Sequence, residues 1–346
     1  MGKLRSLEML RGVAALLVVL YHTRTIFGDR AGFLPFGGHF ATGYRGVDLF
    51  FVLSGFIIAH VHAVDLGRPE RLPRYLFSRL TRLYPAVWAV SAFAILLYAS
   101  GFGGADKAAK LAPEALLASL LLFPQGQETL VNVTWSLAYE MVFYAVFAVA
   151  ILNRRAGLAL LLLWQGAIVV ATLLQVDPGI HGYYPYSVCL DFGIGLAVAW
   201  WVRRPPGAGP RAWWPLLAAG LASFLLGMEL DKASSWSGAL CAFGAGAIVL
   251  ALVRLEQRGG IRIPDALVAL GGASYAIYLV HFSVITLLAM LLVRAGVPVG
   301  NPLCVACLLA GLLAGFVFDR LFDRPVQRWL RRWKPGLPRP ALAPSA

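Results

Sequence analysis

The segment EMLRGVAALLVVLYHTRTIF, residues 8–27, is apolar enough to enter a bilayer, yet it carries Arg11 near one end and His22 well inside. An α-helix advances about 1.5 Å and 100° per residue, so these two side chains lie roughly 16 Å and three turns apart. They share one helix face, separated by about half of a hydrocarbon core of ~30 Å. Ionisable groups within a spanning helix are costly and mark a pathway or a site by default. A histidine alone could simply be hydrogen-bonded inside a bundle; its alignment with an arginine points instead to a lined cavity.

The composition generalises this reading. Of the 346 residues, 59% are hydrophobic and only 14% charged, whereas soluble domains carry about 25% charged residues. Apolar runs recur along the whole chain, so the expected class is an all-α polytopic membrane protein. Ten spans can be drawn, at about 8–27, 46–63, 83–101, 134–152, 157–175, 185–202, 212–230, 236–253, 266–293 and 303–322. The first is read as a span rather than a cleaved leader, because Arg11 and His22 interrupt its apolar core and no small-residue cleavage pattern follows. The net charge of +13 does not indicate a nucleic-acid partner, since the basic residues cluster at the ends of apolar segments. With the N-terminus inside, 23 of the 30 Lys and Arg residues fall on the cytoplasmic side, which predicts that both termini are cytoplasmic.

The domain boundaries expected are a single integral-membrane unit, 1–333, and a proline-rich, disordered cytoplasmic tail, 334–346. Between the third and fourth spans, Pro113 to Phe123 is apolar but too short to cross, which suggests a re-entrant or interfacial segment. Cys189, Cys241, Cys304 and Cys307 all lie in apolar segments, and the CxxC at 304–307 has no further ligand nearby. They are expected to be core residues, and no metal is expected.

Further polar residues interrupt other spans. Asp48 and Ser54 lie in GVDLFFVLSGFII, where Gly55 would let another helix approach closely. Asp48 could orient a histidine, pair with an arginine or cap the helix at the interface. Arg79 and Arg82 share a face at one mouth of the third span, where guanidinium forks suit phosphates or anionic lipid. Glu140 lies about two turns into the fourth span behind Trp135, and by depth His22 or Arg45 would be its partner. In the ninth span, Ser274, Tyr278 and His281 share a face, with Tyr275 beside them. Two fragments, His60 to Asp65 (an HxxxxD pattern) and Phe123 to Gly126, echo soluble glycerolipid acyltransferases but would face opposite sides of the membrane.

These stretches together resemble the acyltransferase 3 family of bacterial membrane O-acyltransferases. The resemblance rests on Arg11 and His22, GVDLFFVLSGFII at 46–58, SRLTRLYP at 78–85, TWSLAYEMVFY at 134–144 and LGGASYAIYLVH at 270–281. The fourth motif, with no fused extracytoplasmic esterase-like domain, is most similar to exopolysaccharide- and O-antigen-acetylating members. The resemblance implies transfer of an acyl group, most often acetyl, from cytoplasmic acyl-CoA to a sugar hydroxyl at the outer side of the bacterial inner membrane. It implies His22 as the catalytic histidine, with Glu140 and Asp48 beside it, and Arg11, Arg79 and Arg82 as donor-binding residues. Trp135, Tyr275, Tyr278, His281 and Ser54 would meet substrate. The partners implied are a lipid-linked or polymeric saccharide, membrane lipids and a polysaccharide-assembly complex. The resemblance leaves open whether His22 acts as base or acyl carrier. A transporter or flippase would instead show internal repeats and broken helices in matching halves, and neither is present. Acylation of a different carbohydrate-bearing or small-molecule acceptor would fit the same residues, as would a non-catalytic role in an assembly complex.

Overall fold

The computed structural model describes residues 4–102, 107–125, 128–174, 187–205, 207, 209–230 and 235–335. The tail expected from residue 334 lies outside the described residues from 336 onward. Among the described residues, nine helices are long and apolar enough to cross a membrane. The tenth expected span is represented by α8, Leu190–Val202, whose 13 residues extend about 20 Å, short of a ~30 Å core. The first part of that span, from residue 185, lies outside the described residues.

The bundle is organised around α1, Arg5–Ala31, and α11, Asp265–Arg294. They run in the same direction. At one end the Arg5 guanidinium pairs with Asp265, and Glu256 accepts hydrogen bonds from the Arg5 and Ser6 backbone N–H groups at 2.7 and 2.8 Å. A carboxylate there satisfies orphan donors and complements the positive end of the α1 dipole. The two helices touch through glycine: a Cβ on Gly271 would sit 1.7 Å from the Glu8 carbonyl oxygen. Without a side chain at Gly271 the backbones reach contact and the pairing register is fixed.

The same device joins α2, Gly46–His62, to α8. A Cβ on Gly55 would lie 2.3 Å from the Phe192 carbonyl oxygen, and one on Gly195 would lie 2.2 Å from that of Val52. The close approach expected at Gly55 is therefore present.

Two helices begin deep in the bundle. Gly46, the first residue of α2, packs on the Ala14 carbonyl, about 12 Å below the level of His22 by helical rise. The helix α6, Trp135–Leu152, starts where Ser136 Oγ meets Tyr278 Oη at 2.7 Å, one turn below His281. Between α3, Leu72–Ala99, and α6, a single turn α4, Lys107–Lys110, leads into α5, Pro113–Leu121. The α5 segment is re-entrant. Tyr84 Oη and Trp88 Nε1 donate to the carbonyls of Leu121 and Leu120, at 2.7 and 2.9 Å, whereas Tyr98 Oη reaches Leu130. Tyr84 and Tyr98 lie roughly 21 Å apart along α3, so the chain descends beside α3 and climbs back. These hydroxyl and indole donors satisfy carbonyls that lipid could not.

Helices α7, Arg154–Leu173, α9, Trp213–Glu229, and α10, Ser235–Gln257, complete that side of the bundle. The helix α12, Asn301–Phe318, continues through a π turn, Asp319–Asp323, into α13, Arg324–Arg331. Pro325 lacks the N–H that an α-helical bond to the preceding turn would use, and the wider turn absorbs this.

Replacing Gly271 by valine forces α1 and α11 apart. Overpacking of this kind costs about 1–3 kcal/mol, so the variant's melting transition in detergent should fall by roughly 3–10 °C. Gly166→Ala, on α7 with nothing within 4 Å of the added carbon, should leave it unchanged.

Candidate functional site

A cavity of about 370 Å³ opens at the end of the bundle that holds Arg5 and Asp265, walled by α1, α2, α3, α6, α11 and α13. Five cations line it (Arg11, Arg79, Arg82, Arg331 and Lys334), against one carboxylate, Glu140. Arg82 lies 4.4 Å over the Tyr275 ring and donates to Asp323 Oδ2 at 3.2 Å. Arg79 lies 5.8 Å over the Tyr144 ring, and its buried Nε has no acceptor. Arg11 reaches the cavity from α1. Burial, together with the nearby Arg74, Arg79 and Arg331 guanidiniums, pushes the Lys334 ammonium below its ordinary value. The mouth is thus a net positive field suited to a polyanion.

Arg11, Arg79 and Arg82 are expected at this mouth from the sequence. Arg331 and Lys334 are not, because the basic run at 324–334 reads along the chain only as a topology signal. The π turn brings α13 back against α3, where Gln327 Nε2 donates to the Thr81 carbonyl at 2.7 Å.

Further in, Glu140 Oε1 accepts from Ser54 Oγ and from Tyr144 Oη, both at 2.6 Å. The expected partners of Glu140, His22 and Arg45, do not contact it. The reason is the deep start of α2: Ser54 is carried down to the level of Glu140, while Arg45 stays above the first turn and donates to Asp48 and Ser237, at 3.2 and 2.6 Å. Tyr275 Oη donates to the Leu83 carbonyl at 2.8 Å. Tyr278 shares hydrogen bonds with Ser136 and the Val133 carbonyl. Phe50 meets the Tyr278 ring edge-on at 5.6 Å, and both line the cavity.

One helical turn beyond Tyr278 stands the histidine pair. His22 Nδ1 is 2.9 Å from His281 Nε2, and His281 Nδ1 is 2.9 Å from the Ile277 carbonyl oxygen. The hydrogen-bond pattern assigns the tautomers. A carbonyl only accepts, so His281 carries its proton on Nδ1, and in the neutral ring Nε2 accepts. His22 must then donate from Nδ1, which leaves its Nε2 as a free lone pair. His281 is wholly buried, but His22 is partly exposed. Because α2 and α6 both begin below this level, the pair lies toward the opposite end of the bundle from the basic mouth.

The structure therefore brings together Arg11, Arg79, Arg82, Ser54, Glu140, Tyr275 and Tyr278 around one cavity, with His22 and His281 just past its inner end. It does not bring Asp48 or Trp135 to it. Asp48 is buried with Arg45 on the side of α8 and α10, near Asp191. Trp135 packs edge-on against Tyr139. All four cysteines are buried and free. At the basic end His62 Nδ1 pairs with Asp65 at 2.8 Å, the only side-chain hydrogen bond formed within the HxxxxD fragment among the described residues.

The chain matches the profile of the acyltransferase domain family over residues 4–320. The exopolysaccharide production protein ExoZ of Rhizobium meliloti is 31% identical over 284 residues, 76% of this chain and 82% of its own length. BcsY of Komagataeibacter xylinus, named as a proposed membrane-bound transacylase, is 28% identical over 296 residues, 80% of this chain and 72% of its own. The acyltransferase MdmB of Streptomyces mycarofaciens is 27% identical over 312 residues, 82% of this chain and 79% of its own. No solved structure matches.

The tautomer assignment is open to direct test. Nitrogen-15 spectra of selectively labelled protein in bilayers should show both His22 and His281 protonated at Nδ1, with an unprotonated Nε2 on His22 that perturbs on adding a hydroxyl ligand. A His22 ring protonated at Nε2 would overturn the assignment.

Proposed function

From the premise that the chain belongs to the acyltransferase family whose profile spans residues 4–320, we propose that it moves an acetyl group from acetyl-CoA to a sugar hydroxyl of a cell-surface polysaccharide or its lipid-linked precursor. The observation that carries this reading is a single axis. A cation-lined cavity opens at one end, and a histidine with a free ring nitrogen stands just beyond its inner end. Membership in the family makes the protein a multi-pass membrane acyltransferase. The name of ExoZ, and its cover of most of both chains, support a polysaccharide acceptor.

The basic end is the cytoplasmic end in this scheme, in line with the excess of Lys and Arg there. The CoA phosphates cannot cross the bilayer and stay at the arginine-rich mouth, held by Arg79 and Arg82 with Arg11 deeper in the cavity. The pantetheine arm reaches along a distance on the order of 16 Å, the rise from Arg11 to His22. Ser54, Tyr275 and Tyr278 border its path. Glu140, held by Ser54 and Tyr144, fixes the polar wall of that path rather than touching the reacting atoms.

His22 acts as general base. Its Nε2 takes the proton of the acceptor hydroxyl as the oxygen attacks the thioester carbonyl. The carbon–sulfur bond breaks, and the proton passes to the departing thiolate, so acyl ester and free CoA thiol are formed with no net change in charge. His281 holds the ring in the required tautomer through Nδ1. An acyl group carried on His22 would instead leave a lasting acyl-imidazolium with no carboxylate in contact, which disfavours the carrier route. Asp48 and Trp135 stand apart from this path and are given no part in the transfer. One membrane unit, residues 1–333, performs both half-tasks, and a saccharide-assembly complex would deliver the acceptor from the other side.

His22→Ala should abolish acetylation of the surface polysaccharide, read by mass spectrometry, while membrane insertion persists. His281→Ala should lower kcat by roughly 10- to 100-fold, the scale typical of a lost orienting partner. In direct binding, Arg79→Ala and Arg82→Ala should each weaken acetyl-CoA by about tenfold, one charge-assisted hydrogen bond's worth. Normal product in the His22 variant would remove the catalytic assignment.

A further inference from the structure

The C-terminal helix α13 and the turn that follows it supply cations to the cavity that neither the sequence motifs nor the family match accounts for. Arg331 and Lys334 line the mouth together with Gln327. Gln327 and Arg331, four apart on α13, share a face opposite Trp329, and the turn that follows, closed by the Lys334 N–H on the Arg331 carbonyl, returns Lys334 to the cavity. Trp329 and Trp333 are exposed, at 56% and 64%, with ring centres 6.3 Å apart. One side of this segment thus faces the cavity and the other presents indoles suited to the bilayer interface.

The helix is held in that pose from beneath. Gln327 bonds the Thr81 carbonyl at 2.7 Å and Asp323 Oδ1 at 3.3 Å, and the other oxygen of Asp323 takes Arg82. Asp319 pairs with the Arg324 side chain at 2.6 Å. The π turn is therefore pinned at both ends, and α13 projects Arg331 and Lys334 over the entrance. Arg331 is the one exposed cation of the five, whereas Arg11, Arg79 and Arg82 are half-buried and Arg79 has a buried Nε; Lys334, also half-buried, sits beside Arg331 and Arg74, which is itself exposed and one turn nearer the start of α3 than Arg79. Lys334 already feels Arg74, Arg79 and Arg331 as like charges, so the group is poised for an anion.

We propose that Arg331 and Lys334 form the subsite for the 3′-phosphate of the nucleotide end of acyl-CoA, with the diphosphate left to Arg79 and Arg82. The assignment rests on acyl-CoA being the donor. It follows from order along the axis: the thioester must lie innermost, the diphosphate between, and the ribose 3′-phosphate at the outer rim. A guanidinium at the end of α13 and an ammonium just past the following turn, both lining the mouth, match a terminal phosphate, which accepts several charge-assisted hydrogen bonds. The same chemistry would bind an anionic lipid headgroup, and the test separates the two.

The experiment measures binding of acetyl-CoA and of acetyl-dephospho-CoA to the full chain in nanodiscs of zwitterionic lipid alone and with added anionic lipid. Wild type should prefer acetyl-CoA by about 10- to 100-fold, the worth of one or two such contacts. In Arg331→Ala and Lys334→Ala the preference should fall toward unity through loss of acetyl-CoA affinity, with dephospho-CoA affinity unchanged. Arg79→Ala should weaken both ligands and keep their ratio. Arg328→Ala and Arg332→Ala, which do not line the cavity, should change neither. A wild-type preference that survives in the Arg331 and Lys334 variants overturns the subsite. So does an effect of those variants that appears only with anionic lipid, which would assign the pair to a headgroup. Failure of wild type to bind either ligand would instead remove acyl-CoA as the donor.

Discussion

The contact on which the structure depends is the backbone approach of α1 and α11 at Gly271. Two parallel helices at ordinary spacing would hold their polar side chains apart. With no Cβ on Gly271 the helices meet, and their shared starting point, Arg5 against Asp265, sets the register. Counting up from that pair brings His22 and His281 to the same height, where 2.9 Å separates their ring nitrogens. The tautomer of His22 follows from that contact, because its Nδ1 faces His281 Nε2, which accepts. In the proposed mechanism it is the packed pair, and neither histidine alone, that specifies the base.

A second constraint is the depth at which neighbouring helices begin. By starting at the level of Ala14, α2 carries Ser54 down to Glu140 and holds Arg45 beside Asp48. By starting at the level of Tyr278, α6 places Glu140 and Tyr144 in the basic half of the bundle. The half-buried carboxylate thus takes its hydrogen bonds from two hydroxyl donors, Ser54 and Tyr144, while Arg11 acts on it only through its field. Ion pairs in such surroundings lose much of their attraction to desolvation, whereas hydroxyl donors satisfy the lone pairs at lower cost.

Much of this arrangement is legible in the chain. The spans follow from apolar runs, and the arginines and the His22 face follow from helical periodicity. Gly55 announces a close helix contact, and the 113–123 segment, too short to cross, announces a re-entrant or interfacial stretch, of which the structure shows the first. What stays hidden depends on vertical register. The partner of Glu140 is missed because span boundaries drawn at the hydrophobic edge put the start of α2 too high. Arg331 and Lys334 read as topology signals because nothing local says that a π turn at Asp319–Asp323 folds them back over α3. The short α8, at 13 residues, looks full length for the same reason: composition reports where a helix is apolar, not how far it crosses.

The edge-on meeting of Phe50 with Tyr278 bears on a different problem. Phe50 packs against all three apolar clusters of the bundle, at the point where the basic cavity ends and the histidine pair begins. A continuous water column along that axis would be an electrical shunt, and each proton leaking across 100 mV would dissipate about 2.3 kcal/mol of stored energy. In the proposed transfer, the Phe50–Tyr278 edge contact is an apolar constriction that an acyl-bearing chain would pass and that offers ions no hydration. On the proposed scheme, a neutral acyl group would cross an energised membrane while the membrane stays insulating.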